Sequence, residues 1–174
     1  GHFDHMWNAQ DVAAEFGCPV WIHPDDRHLL SDPMAAISGQ SAAMLRAQLG
    51  MDDLPEFTEP ADVRDAVDGV RIEVDGLTFT VDHVPGHTPG TVFYRVDYDG
   101  PEDVSQIMFS GDFLFAGSIG RTDLTGGSHD QMQASLRDRV LPLADDVVVL
   151  PGHGSQTSIG RERATNPFLA EVST

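Results

Sequence analysis

Two histidines and an aspartate lie within four residues at the start of the chain, in the stretch Gly1-His2-Phe3-Asp4-His5. Imidazole and carboxylate groups are ligands for Zn²⁺, Fe and Mn, and the lack of a thiolate argues against a closed structural zinc site. Side chains this close in sequence cannot all share one face of a helix or strand. We therefore expect a tight loop at the end of a strand, with the three groups fanned around a common centre. Alone, the cluster is equally typical of a polar tail or a cloning tag.

Three later segments share one pattern, in which an apolar run is followed by a turn former, a glycine and a metal-capable side chain. They are Val84-Pro85-Gly86-His87, Phe109-Ser110-Gly111-Asp112 and Leu150-Pro151-Gly152-His153. Glycine permits a sharp exit from a strand and a close approach of the backbone to an ion. If three strands of one sheet end alike, their last side chains lie along one edge, where ligand sites form in open α/β proteins. The repetition favours a metal site over three ordinary polar turns.

The segments between these motifs alternate between strand and helix patterns, which predicts α/β layers. Alternating or wholly apolar runs predict strands at Pro19–His23, Val70–Val74, Leu77–Val84, Thr91–Val96, Gln106–Phe109 and Val147–Leu150. Asp75-Gly76 predicts a hairpin turn between the second and third of these strands. Helical spacing predicts helices at Asn8–Phe16, Pro33–Gly50 and Ser128–Val140, and Leu54–Pro60 is an acidic connector.

Four further histidines are weaker candidates. His23 and His28 lie where a strand stops, and a second metal site there is conceivable, although strand-end or surface histidines are far more common. His83 falls within a strand alternation and is expected to be structural. His129, in the first turn of a helix, is expected to face water.

The composition fits one globular domain spanning residues 1–174, with 40% hydrophobic residues and a formal net charge of −18. Such an acidic chain disfavours nucleic acid and anionic lipid as partners. The single cysteine, Cys18, excludes an internal disulfide and suits a reducing compartment, so we expect a cytoplasmic protein. We expect Cys18 at the buried entry to a strand. Nothing in the sequence indicates an oligomeric state.

His2, Asp4 and His5 resemble the end of the HxHxDH signature of the metallo-β-lactamase superfamily, and His87, Asp112 and His153 resemble its later ligand motifs. The chain is most similar to the thioester-hydrolase branch that includes glyoxalase II. The stretches from Ser110 to Asp123 and from Leu150 to Gly154 resemble the short bacterial members of that branch.

The resemblance implies a four-layer αββα sandwich that binds two divalent metal ions, most often Zn, with Fe or Mn as alternatives. It implies that a further His, His2 and His87 hold one ion, that Asp4, His5 and His153 hold the other, and that Asp112 bridges them. A hydroxide between the ions would attack the carbonyl of a small-molecule thioester of the hydroxyacyl-glutathione type, with Asp4 orienting it. Arg121 would clamp a substrate carboxylate, or else pair with Asp123.

Two departures and two rival functions accompany the resemblance. The first His of the signature would stand just ahead of Gly1, and Trp7-Asn8 replaces a common Gly-Gly. We therefore interpret the 174 residues as an N-terminally truncated domain, and expect it to be poorly active without the upstream segment. Persulfide dioxygenases, which use one iron, share a similar Gly-Arg-Thr-Asp stretch. Lactonases and β-lactamases are the nearest hydrolytic alternatives.

Overall fold

The computed structural model describes residues 1–36, 43–44, 47–48, 50 and 57–173. Much of the helix predicted at Pro33–Gly50 and of the connector at Leu54–Pro60 lies outside these residues. The strands are β1 (Val20–Ile22), β2 (Val63–Asp65), β3 (Arg71–Val74), β4 (Leu77–His83), β5 (Val92–Asp97), β6 (Gln106–Gly111), β7 (Leu114–Phe115), β8 (Ser118–Ile119), β9 (Val148–Pro151) and β10 (Thr157–Ser158). The helices are α1 (Phe3–Met6), α2 (Ala9–Phe16), a 3₁₀ helix (Pro24–Leu30), α3 (His129–Ser135) with a π turn (Leu136–Val140), α4 (Ile159–Thr165) and α5 (Pro167–Val172).

Six strands form the main sheet in the order β10-β9-β6-β5-β4-β3. Strands β6 and β9 are parallel, while β4 and β6 run in the same direction because each is antiparallel to β5 between them. The carboxyl ends of β4, β6 and β9 therefore meet at one edge of the sheet. This confirms the edge predicted from the three glycine-containing strand ends.

The sheet lies between two apolar cores. One face packs against α3, α4 and α5 through a core that includes Phe93, Met108 and Met132. The opposite face packs against the small parallel sheet β1–β2, where Trp21 joins a cluster with Val81. A third cluster, with Met6 and Ile22, covers the far side of β1–β2 with α1 and the 3₁₀ helix. The layers thus follow in the order helix, sheet, sheet, helix.

Local signals in the sequence explain several boundaries. Asp75 and Gly76 both have positive φ, 48° and 82°, as a tight two-residue hairpin requires. Ser128 caps α3 by accepting a hydrogen bond from the backbone N–H of Gln131. The expectation for Cys18 is wrong, because its side chain is exposed where the chain turns from α2 into β1.

No helix among the described residues is long and apolar enough to cross a membrane.

Candidate metal centre

The three strand-end residues lie at the shared edge of the main sheet. His87 follows β4 by a short loop, while Asp112 and His153 stand just beyond β6 and β9. Gly111 has a φ of 51°, so the chain can turn sharply between its strand and Asp112. The backbone N–H of Gly152 donates to the carbonyl of Gly111, which holds the second and third loops together.

The first cluster lies on a helical turn, which corrects the predicted loop after a strand. Asp4 and His5 belong to α1, and His2 is the residue that precedes its first turn, with φ −73° and ψ 154°. Because His2 is extended and the other two are helical, its side chain leaves the backbone in a different direction from theirs. The side chain of His2 can therefore reach one side of the metal centre while those of Asp4 and His5 reach the other.

His2 and His87 form the buried half of the centre. Their exposed fractions are 8% and 6%, and His2 Nδ1 lies 2.9 Å from His87 Nε2. His87 Nδ1 donates to the backbone carbonyl of Arg121 at 2.8 Å, so the lone pair of a neutral His87 is on Nε2 and points toward His2. Burial and the neighbouring His87 lower the pKa of His2 to about 4, so this imidazole is neutral at pH 7.

Asp4, His5 and His153 form the open half. Each offers a ligand atom, and together with an oxygen of Asp112 these atoms all lie within 4.8 Å of one another. His153 Nε2 is 3.1 Å from Asp4 Oδ2, and His5 Nε2 is 3.0 Å from Asp112 Oδ2. The side chains of Asp4 and His153 are 39% and 58% exposed, so this half faces solvent.

Asp112 joins the two halves. Its Oδ2 lies 3.5 Å from His153 Nε2 and 3.9 Å from His87 Nε2, in addition to its contact with His5. Burial by itself raises the pKa of Asp112, but the hydrogen bond from His5 and the electrostatic interactions with the neighbouring histidines lower it overall. The carboxylate is therefore ionised at neutral pH.

The donor set fits bound divalent cations. Asp112 Oδ1 is buried with no hydrogen-bond partner, which is costly for a polar atom unless something else satisfies it. Imidazole nitrogens and carboxylate oxygens are ligands for Zn²⁺, Fe and Mn. The structure therefore brings together all six residues predicted from the sequence as metal ligands.

Arg121 makes two contacts of different kinds. Its guanidinium pairs with the carboxylate of Asp123 through two hydrogen bonds of 2.8 and 2.7 Å, and its backbone carbonyl orients His87. The pairing with Asp123 is the alternative to substrate binding that the sequence analysis left open for Arg121. The contact with His87 could not be foreseen, because a backbone carbonyl has no residue-specific signal.

The remaining histidines form no comparable centre. His23 and His83 lie near Asp25, but their rings stack almost in parallel, 3.9 Å apart with an interplanar angle of 11°. One nitrogen of the His23 ring is already engaged, because His23 Nδ1 accepts from the N–H of Asp25. His83 Nε2 donates to the carbonyl of Pro89, in keeping with its predicted structural role. His129 is exposed, as expected.

Two fully buried carboxylates were missed by the sequence analysis. Asp26 contacts the loop that carries His87. Glu162, in α4, accepts from the N–H of Gly117 at 2.8 Å, the amide of Asn166 at 2.9 Å and the hydroxyl of Thr157 at 2.5 Å. Gly117 is the turn of the β7–β8 hairpin, so Glu162 fastens the segment between Asp112 and Arg121 to α4.

Replacing Glu162 with glutamine is expected to lower the free energy of unfolding by about 1–3 kcal/mol, because the hydrogen bonds to Glu162 lose their charged acceptor and the Thr157 hydroxyl must accept from the new NH₂ instead of donating. Urea unfolding followed by circular dichroism measures the change. Glu15→Gln, an exposed change in α2, is the control and is expected to stay within about 0.5 kcal/mol of the parent. Equal effects of the two variants would contradict this role for Glu162.

Residues 1–153 match the sequence profile of the metallo-beta-lactamase superfamily. The chain belongs to this superfamily. Hydroxyacylglutathione hydrolase GloC of Haemophilus influenzae is 33% identical over 170 residues, which cover 97% of this chain and 72% of that protein. The crystal structure of BLEG-1 B3 metallo-beta-lactamase is similar with a TM-score of 0.73 at 38% identity, covering 97% of this chain and 73% of the other. That of TTHA1623 in a di-iron-bound form has a TM-score of 0.68 at 35% identity, covering 96% and 73%.

These similarities confirm the predicted metallo-β-lactamase fold. Membership of the superfamily places the chain among metal-dependent hydrolases. It also implies binding of divalent cations, and the residues described above are candidates to hold them.

Proposed function

We propose that the chain hydrolyses small-molecule thioesters of the hydroxyacyl-glutathione type. The observation that carries the proposal is the convergence of three histidines, His5, His87 and His153, on one oxygen of Asp112, with a buried pair of imidazoles on one side and an open group on the other. The similarity to a hydroxyacylglutathione hydrolase supports the thioester as substrate.

In this proposal Asp112 would be a ligand of both cations. His2 and His87 would hold one with it, and Asp4, His5 and His153 would hold the other. When bound, two divalent cations supply a water of lowered pKa and a Lewis acid for the acyl oxygen. We favour Zn²⁺, although a related protein has been crystallised with two irons.

The residues of the chain then position the reaction. The half-exposed carboxylate of Asp4 can orient the attacking water and accept its proton. The hydrogen bond from His87 to the Arg121 carbonyl keeps that imidazole in one tautomer. A thiolate leaves without needing a proton, so the centre requires no separate general acid.

Arg121 is proposed to bind a carboxylate of the substrate. Its side chain is 60% exposed and lies beside the loop of His87. Its two hydrogen bonds to Asp123 have the bidentate geometry with which a guanidinium binds a carboxylate. On binding, a carboxylate of the substrate would replace that of Asp123 as the partner of Arg121. We further propose that residues 1–174 act as one domain in the cytoplasm, with no nucleic-acid or membrane partner.

Hydrolysis of β-lactams is the second candidate. The 38% identity to BLEG-1 B3 metallo-beta-lactamase favours it. Both reactions add water to a carbonyl carbon, so the same ligands would serve either substrate. A persulfide dioxygenase would instead need one iron and molecular oxygen.

Parallel assays on one metal-analysed preparation test the proposal. We expect release of free thiol from an S-lactoyl thioester, with kcat/KM about 100-fold above that for a chromogenic cephalosporin, since the site would be built for the thioester. A chelator should abolish the activity and Zn²⁺ should restore it. Faster cephalosporin hydrolysis would favour the second candidate. Oxygen uptake with a persulfide, at one iron per chain, would overturn both.

A further inference from the structure

Asp26 is a fully buried carboxylate at the start of the 3₁₀ helix. Its Oδ1 accepts a hydrogen bond from the backbone N–H of Gly90 at 2.8 Å. Its Oδ2 accepts from the hydroxyl of Thr88 at 2.7 Å and from the nitrogen of Gly1 at 3.0 Å. Three donors around one buried carboxylate make a set of charge-assisted hydrogen bonds.

The partners of Asp26 adjoin the two buried histidines. Gly1 immediately precedes His2, and Thr88 immediately follows His87. Gly1 and Thr88 lie 25 and 62 residues from Asp26 in the chain. Their contacts with Asp26 are therefore tertiary contacts and not part of a local turn. One carboxylate is therefore bonded to the residue next to each histidine of the buried pair.

The packing around Asp26 leaves little freedom. A Cβ at Gly90 would stand 2.6 Å from the carboxyl carbon of Asp26, so only glycine fits there. The hydroxyl of Thr91 accepts from the N–H of Thr88 and closes the turn. Burial alone raises the pKa of Asp26, while the hydrogen bonds from Thr88 and Gly90 lower it.

We propose that Asp26 is a positioning residue that sets the separation of His2 and His87, and thereby the affinity of the cation site that these imidazoles share. The proposal rests on the metal centre of the proposed function. No hydrogen bond among the described residues joins Asp26 to Asp4, His5 or His153. Its effect should therefore fall on one cation and spare the other.

Metal titration of the chain with Co²⁺, followed by absorption and by equilibrium dialysis with Zn²⁺, tests this selectivity. The parent should bind two ions. His87→Ala and His153→Ala assign the spectral bands to the buried and open sites. In Asp26→Asn an NH₂ must face a hydrogen-bond donor, and we expect Kd of the buried site to rise at least about tenfold while that of the open site changes less than about twofold.

A milder variant guards against misfolding of Asp26→Asn. Thr88→Val removes one donor of Asp26 while keeping side-chain shape, and should weaken the buried site about threefold, with the same selectivity. Thr165→Val is the control, because Thr165 also loses a hydroxyl donor, one that bonds the carbonyl of Arg161 within α4 and contacts none of the ligand loops. It should leave both Kd values unchanged.

Two results would overturn the role of Asp26: equal weakening of both sites, or unchanged Kd values in Asp26→Asn and Thr88→Val. Failure of the thioester assay with two cations bound would reject the proposed reaction and leave the role of Asp26 intact. Imidazole ¹⁵N spectra give a second readout without metal. We expect the His2 and His87 signals to shift or broaden in Asp26→Asn, and those of His5 and His153 to remain in place.

Discussion

Replacing Asp112 with asparagine is expected to lower kcat/KM for thioester hydrolysis at least ~10³-fold, equivalent to about 4 kcal/mol of transition-state stabilisation. The bound cations should fall from two per chain to at most one. The side-chain volume hardly changes, so the cause is the loss of charge and of one ligand oxygen.

The position of Asp112 explains why so small a change should matter. Its Oδ2 is the atom that lies within 4 Å of His5, His87 and His153, while its Oδ1 is buried without a partner. An amide would present an NH₂ group on one of these sides, and that group cannot bind a cation. The loss should therefore appear in metal content as well as in rate.

Metal analysis and steady-state kinetics on the same preparations measure both effects. Asp138→Asn is the control, since it removes the same charge from an exposed position in the turn after α3. It should retain two cations and the parent rate. An Asp112→Asn variant with two cations and a near-normal rate would reject Asp112 as the shared ligand.

The strand-end pattern predicted much of this centre from sequence. Glycine before His87, Asp112 and His153 marked three chain exits, and in the structure these exits share one edge because β4, β6 and β9 run in the same direction. The pairing of ligands into a buried and an open half was not predictable from spacing. It depends on strand order and on the direction in which each loop returns.

The prediction for the first cluster failed for a local reason. A helix start is usually marked by Ser, Thr, Asp or Asn at the N-cap, and α1 begins after His2, which makes no capping hydrogen bond. A single helical turn without a cap gives almost no sequence signal. Its position depends on packing of Met6 against Ile22 and its neighbours, which are distant in the chain.

The buried carboxylate of Asp26 was missed by the sequence analysis for a different reason. Asp25 and Asp26 are adjacent acidic residues after a proline, and that pattern predicts an exposed turn. Asp25 is exposed and Asp26 is fully buried. The difference arises from donors in a loop more than 60 residues away, so one sequence cannot distinguish the two.

Replacing Gly152 with alanine is expected to lower kcat/KM about 10²-fold, because small displacements of catalytic groups are that costly. A Cβ at this position would lie 2.5 Å from Asp112 Oδ1 and 2.6 Å from His5 Cε1. These two side chains meet at 3.0 Å, so relief of the collision must separate or tilt them. We expect weaker cation binding and a loss of about 1–3 kcal/mol in stability from overpacking.

Gly154→Ala separates this contact from general disturbance of the loop. Gly154 lies two residues further on, has a φ of 81°, and a Cβ there would meet nothing within 4 Å. Its substitution strains the backbone by about 1–3 kcal/mol yet touches no ligand. Thermal unfolding should show similar losses in the two variants, while the rate and the cation affinity should fall only in Gly152→Ala. If both variants lose activity equally, the conformation of the loop controls the centre, and crowding of Asp112 and His5 does not.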